Sequence, residues 1–145
     1  MRNVLCICPL LSTSFLEATH GHVQKTVLLV DDDDDSRRIF RLALEHAGHK
    51  VVTAHDGLEG IRLAELHEPD AILMDIAMPV MDGYAALKQL RSNVATRGVP
   101  VLALTARGSI HEAADLLEAG FDELLIKPIA PLEVVAAIAR SGTAA

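Results

Sequence analysis

This chain is predicted to fold as an α/β sandwich, a parallel five-stranded sheet wound on both faces by helices, on three observations. From Lys25 onward, short apolar runs alternate with segments of helical spacing, the pattern of repeated βαβ units. Most of the runs are apolar throughout, as strands covered on both faces must be. Polar groups follow these runs without a spacer, at the carboxyl ends where open α/β sheets place their ligands.

The elements follow in order. Val27-Leu28-Leu29-Val30 marks a first strand at about 26–30, and the aspartates after it lead into a helix at 35–47. Asp34 or Asp35 can cap that helix, where acidic side chains also favour the positive end of the dipole. Gly48 ends it as a left-handed cap. A second, less apolar strand is expected at 50–54 and a helix at 57–67; Pro69 then precedes a third strand at 71–75. A helix at 83–92 leads to a strand at 99–104. Gly120 closes the next helix, 109–119, and a last strand at 123–126 precedes a helix at 131–140 with Pro131 in its first turn.

At 145 residues and 15.5 kDa, half of them hydrophobic, the chain is one domain long and able to bury a core. The expected division is an extension over residues 1–24, a folded unit over 25–140 and a tail over 141–145. A net charge of −7 with no Lys/Arg cluster argues against direct binding of nucleic acid. No apolar run reaches the roughly 18 residues of a membrane span. Val4–Leu11 imitates a short signal peptide, but Pro9 interrupts it and no small-x-small cleavage site follows cleanly. Cys6 and Cys8 are too close for an ordinary bridge and have no second pair to complete a zinc site, so a reduced, cytoplasmic setting is expected.

The chemistry gathers at the strand ends. Asp31 and Asp32 follow Val30 directly, Asp75 ends the run Ala71-Ile72-Leu73-Met74, Thr105 follows Val101–Leu104, and Lys127 follows Leu124–Ile126. A run of five aspartates, 31–35, reads by itself as a solvated acidic patch. At a strand end, like charges raise one another's pKa unless a cation neutralises them. Mg²⁺ suits such a site because it takes oxygen ligands and often bridges carboxylates to phosphate. Asp75 could then attack phosphorus as a nucleophile, with Lys127 as a second cation and the Thr105 hydroxyl as a donor to a phosphoryl oxygen.

Four motifs carry a resemblance: Leu-Leu-Val-Asp-Asp at 28–32, Met-Asp-x-x-Met-Pro-x-Met-Asp-Gly at 74–83, Leu-Thr-Ala at 104–106 and Lys-Pro at 127–128. Over residues 25–140 the chain resembles the receiver domain of two-component response regulators, and in extent the stand-alone chemotaxis regulator. The resemblance implies a flavodoxin-like (βα)5 fold with strand order 2-1-3-4-5. It implies Asp75 as the phosphoacceptor, Mg²⁺ held by Asp31, Asp32, Asp75 and the Ala77 carbonyl, Thr105 as the switch hydroxyl, and Lys127 as the phosphoryl contact. A cis Lys127-Pro128 bond is implied too. The phosphoryl donor would be a histidine kinase or histidine phosphotransfer protein, and the output would pass to a downstream protein target. Phosphorylation-dependent homodimerisation is a further implied outcome.

Two positions depart from the pattern. Leu124 stands where many relatives carry an aromatic residue that swings inward, and aromatics are only 3% of the chain, which puts a Thr105-to-aromatic coupling in question. Ala77 and Arg107 are implied to flank the phosphoryl group; Ala77 has no side chain to hold an attacking water, and Arg107 adds a cation. The seven histidines lack ligand spacing and are read as surface residues. Leu116 and Leu117 are expected to cover the core, and the Ala-rich faces at 111–119 and 133–139 to serve docking, dimerisation or plain packing.

Other readings use the same residues. Leu29-Val30-Asp31-Asp32-Asp33 also fits the nucleophile strand of a haloacid-dehalogenase-type phosphohydrolase, with Thr105 and Lys127 as its further motifs. That family needs an acidic pair after the lysine, whereas only Glu133 follows, and the 74–83 motif goes unexplained. A pseudo-receiver scaffold would have lost the acids, the acceptor or the lysine. A receiver cut from a hybrid kinase is the remaining alternative.

Overall fold

The computed structural model describes residues 23–78, 80–106 and 110–142. The expected extension, with Cys6 and Cys8, and residues 143–145 of the tail lie outside the described residues. The strands are β1 (Thr26–Val30), β2 (Lys50–Ala54), β3 (Ala71–Asp75), β4 (Val101–Thr105) and β5 (Glu123–Ile126). Between and after them come α1 (Asp34–His46), α2 (Gly57–His67), α3 (Gly83–Ser92), α4 (Ile110–Ala119) and α5 (Pro131–Arg140). All strand pairs are parallel, and the sheet order is β2-β1-β3-β4-β5, the flavodoxin-like arrangement expected. Among the described residues no helix is long and apolar enough to cross a membrane.

Side-chain alternation along the three central strands builds two cores. Leu28, Val30, Ile72, Met74, Val101 and Ala103 face one side, where Ala64 of α2, Leu87 and Leu90 of α3, and Leu116 of α4 cover them. Val27, Leu29, Leu73, Leu102 and Leu104 face the other, against Phe40 and Leu44 of α1 and Val134 and Ile138 of α5. Burial on both faces is why β1, β3 and β4 read as unbroken apolar runs.

Helix ends correct the sequence reading in detail. The cap of α1 is Asp33, not Asp34 or Asp35: its backbone is extended (φ −84°, ψ 118°) and its carboxylate accepts the Ser36 N–H at 2.8 Å, which makes Asp34 and Asp35 first-turn residues. Gly48 and Gly120 both take positive φ (101° and 118°) as expected. Each closes a Schellman motif: Gly48 N–H donates to Glu45 and His49 N–H to Leu44, as Gly120 and Phe121 donate to Leu117 and Leu116. Pro131 sits in the first turn of α5, and Lys127-Pro128 is cis. The fourth strand begins at Val101 instead of 99, because Pro100 has no N–H to give the ladder, and it extends to Thr105, which pairs with Ile126. Leu116 is buried, but Leu117 lies half exposed on the outer side of α4, since adjacent helical positions cannot both face the sheet. His49 departs from the surface expectation: it is buried at the foot of β2, where its Nδ1 accepts the Lys25 N–H at 3.1 Å.

Candidate functional site

Register alone brings the predicted residues to one edge. Val30 pairs with Met74, so the next residues along, Asp31 and Asp75, leave adjacent strands side by side. Asp75 pairs with Leu104 and Thr105 with Ile126, which sets Thr105 beyond Asp75 and Lys127 beyond Thr105. The pairing continues past the last strand, with the Lys127 N–H donating to the Thr105 carbonyl at 2.8 Å. Asp31, Asp75 and Thr105 are all buried at this edge, at 0%, 6% and 7% exposure, while Asp32 is exposed at its rim.

Both buried carboxylates are oriented in the same way. Asp31 Oδ1 accepts the Asp33 N–H at 2.9 Å, and Asp75 Oδ1 accepts the Ala77 N–H at 3.2 Å. Each Oδ2 is thereby turned toward Lys127, whose Nζ lies 3.3 Å from Asp75 Oδ2 and 3.7 Å from Asp31 Oδ2. Arg37 fixes the exit of β1 by donating to the Asp31 carbonyl at 2.7 Å, and its guanidinium also pairs with Asp34. The exit of β3 turns tightly, with the Gly83 N–H donating to Ile76 O at 3.0 Å. A Cβ at Gly83 would stand 3.0 Å from the Asp75 carbonyl oxygen, so this turn needs glycine.

The donor set fits a hard divalent cation. Asp31, Asp32 and Asp75 each bring a carboxylate oxygen within 4.8 Å of the others. Asp31 Oδ2 is fully buried and accepts no hydrogen bond, an unusual state for a carboxylate oxygen and one a cation would relieve. Burial pushes the Asp31 carboxyl up to about 6, against the lowering effect of the Asp33 N–H and Lys127, and the Asp75 charge adds to the rise.

The remaining sequence candidates are placed unevenly. The Ala77 N–H is engaged by Asp75, while Arg107 lies outside the described residues. Ala77 and Thr105 line a cavity of about 380 Å³ with Tyr84, Ala106 and Glu112. Leu124 packs against the core beneath α2–α4, and Tyr84 stacks edge-to-face on Phe121 with ring centres 6.2 Å apart. Sequence reasoning missed the bond of Arg37 to the Asp31 backbone; the available signal was an Arg one helical turn into the helix that follows the acids. Glu133, the residue a dehalogenase-type site would need, belongs to α5.

A sequence model of the response regulator receiver domain matches residues 27–139. The transcriptional regulatory protein PrrA of Mycobacterium tuberculosis is 42% identical over 118 residues, which are 81% of this chain and 50% of that protein. The probable transcriptional regulator ycf27 of Cyanophora paradoxa is 36% identical over 79% of this chain and 47% of its own. The chain thus spans about half the length of the curated relatives it matches. Among solved structures, the chemotaxis protein CheY4 of Vibrio cholerae superposes with a TM-score of 0.77 at 31% identity, over 81% of this chain and 98% of that one. The receiver domain of the sensor histidine kinase PA1611 from Pseudomonas aeruginosa, described with a magnesium ion coordinated in its active-site cleft, gives a TM-score of 0.72 at 34% identity, over 81% and 95%.

Proposed function

Because the chain belongs to the response regulator receiver family, a signalling family of two-component systems, we propose that Asp75 accepts a phosphoryl group from a histidine kinase or histidine phosphotransfer protein. The observation that carries this reading is the convergence of Lys127 Nζ on Asp75 Oδ2 and Asp31 Oδ2 at the carboxyl edge of the sheet. An Asp75 carboxylate oxygen forms the new bond to phosphorus as the bond from phosphorus to the donor imidazole nitrogen breaks, and that nitrogen keeps the electron pair. Lys127 steadies the negative charge on the transferred oxygens, and the Thr105 hydroxyl donates to one of them. Asp31, Asp32, Asp75 and the Ala77 carbonyl hold Mg²⁺, which supplies charge neutralisation for the incoming phosphoryl group. The domain catalyses its own phosphorylation and dephosphorylation and no other reaction.

The output passes through contact with a protein. One reading is delivery by this fold alone, as a stand-alone regulator like the chemotaxis protein it resembles. The double-length transcriptional regulators support a second reading, in which the same fold governs an attached output domain. The experiment that tests the acceptor is incubation with acetyl phosphate and Mg²⁺ followed by intact mass measurement beside Asp75→Ala. The expected result is a gain of one phosphoryl group that requires Mg²⁺ and is absent in the variant. Release of phosphate without need of Asp75 would return the site to a hydrolase.

A further inference from the structure

Gly57 and Gly60 lie one turn apart on the edge of α2 that faces the sheet. A Cβ at Gly57 would stand 2.8 Å from the Met81 carbonyl oxygen and 3.1 Å from Met81 Cβ and Cγ. A Cβ at Gly60 would stand 2.9 Å from Val30 Cγ2. Met81 belongs to the segment that leaves Asp75 and carries Ala77; Val30 immediately precedes Asp31. One short stretch of helix therefore touches the exits of both strands that bear the buried carboxylates.

That stretch is built to stay in place. Asp56 caps α2 by accepting the Glu59 N–H at 2.8 Å, and Glu59 reaches back to accept the His55 N–H at 2.8 Å while pairing with the His55 ring. The segment it meets is tethered at both ends, by Ala77 N–H on Asp75 and Gly83 N–H on Ile76, and by Asp82 capping α3 through the Ala85 N–H at 2.9 Å. Met81 leans its backbone on Gly57 between these tethers.

We propose that Gly57 is a positioning residue for the acidic pocket: the bare backbone at the start of α2 sets how close the segment after Asp75 lies to β1. The proposal rests on the reading of Asp31, Asp32 and Asp75 as the Mg²⁺ and phosphoryl site. A methyl group at 57 meets a backbone oxygen that cannot rotate away, so the segment must move as a whole. Ala77 and Asp75 move with it, in a site where ligand distances matter to about 0.2 Å. Substitutions that disturb the support of metal ligands lower affinity about 10- to 100-fold.

The test uses Gly57→Ala beside Gly98→Ala, a position where an added Cβ meets nothing within 4 Å. Mg²⁺ affinity is read by calorimetry, exchange of the Gly83 amide by NMR without metal, and global stability by urea. Gly57→Ala is expected to bind Mg²⁺ about tenfold more weakly and to exchange the Gly83 amide faster than its global stability accounts for, with Gly98→Ala unchanged in both. Unchanged affinity, or loss of affinity explained by global destabilisation alone, overturns the proposal. If the wild type binds no Mg²⁺, the metal reading fails by itself, and the metal-free Gly83 exchange still decides whether Gly57 positions the segment. Should Gly57→Ala not fold, Met81→Ala keeps the opposing carbonyl and Cβ and removes only the side chain beyond them; wild-type Mg²⁺ affinity and Gly83 exchange are expected there, and a change in either gives the spacing to the Met81 side chain and overturns the proposal.

Discussion

Lys127 reaches across the sheet edge to Asp75, its Nζ 3.3 Å from Asp75 Oδ2, and in doing so occupies the region where a second cation would neutralise the carboxylates. The same Nζ lies 3.7 Å from Asp31 Oδ2, so a single ammonium serves two buried acids from β1 and β3. On the proposed function, Lys127 would be at once a helper for an incoming phosphoryl group and a competitor for the metal that accompanies it.

Replacing Lys127 with Met should separate those two roles. Without the ammonium, the carboxylates are less neutralised and Mg²⁺ is expected to bind more tightly. Phosphorylation by acetyl phosphate is expected to slow by about 10²-fold, the usual scale for loss of a charge-stabilising group. Mg²⁺ titration and the rate of adduct formation check the two directions; equal losses in both would assign Lys127 to the fold only.

Asp31 predicts a pH dependence of definite sign. Its carboxyl is raised to about 6 in the folded chain, against about 3.9 for an ordinary aspartate. Between those values the folded state holds a proton that the unfolded state has released. Metal-free stability from this group is therefore full below about 4 and is lost as pH rises through about 6. Mg²⁺ should restore stability above that range and bind weakly below it, as the proton and the metal compete. Asp31→Asn is expected to flatten the metal-free melting profile between pH 4 and 7 and to abolish the Mg²⁺ effect. Thermal melts with EDTA and with Mg²⁺ check both.

The architecture was legible because each central strand is apolar on both faces, a pattern few other folds require, and because turn residues sit where the chain reverses. The gathering of polar residues at one sheet edge was legible for a related reason: Asp31, Asp75, Thr105 and Lys127 each follow a buried run, and parallel register then aligns them. What escaped were contacts that depend on approach between elements distant in sequence. Gly57 reads as an ordinary helix start until Met81 is found against it, and nothing local in Leu117 says which side of α4 faces out. The cap at Asp33 was missed because five consecutive aspartates offer equivalent side chains, and only the backbone angle distinguishes them.

Arg91 is the strongest stability prediction away from the site. Its guanidinium donates to Arg97 O at 3.0 Å, Val99 O at 2.7 Å, Gly120 O at 2.9 Å and Asp122 Oδ2 at 2.9 Å. Asp122 Oδ2 also accepts the Val101 N–H at 2.8 Å, so the group joins the ends of α3 and α4 to the starts of β4 and β5. Arg91→Met keeps the aliphatic stem but strips these bonds, and should cost about 2 kcal/mol. Urea denaturation measures it, with Mg²⁺ affinity expected unchanged because this cluster lies at the opposite end of the strands.

If Asp75 accepts a phosphoryl group as proposed, Ala77 is expected to bear on the lifetime of that state. It lines the cavity of about 380 Å³ beside Thr105 and Tyr84, which gives a longer side chain room without displacing the core. Hydrolysis of an aspartyl phosphate needs a water held in line with the bond that breaks, and a methyl group cannot hold one. Ala77→Asn places a carboxamide at that position, able to accept a hydrogen bond from the attacking water. Orientation by a neutral amide is a smaller effect than proton abstraction by a base, so the expected acceleration is about tenfold and not the 10²-fold or more of general base catalysis. Decay of the Asp75 adduct after removal of acetyl phosphate, followed by intact mass, measures it. An unchanged decay rate would mean that water access in this chain is governed elsewhere on the cavity wall.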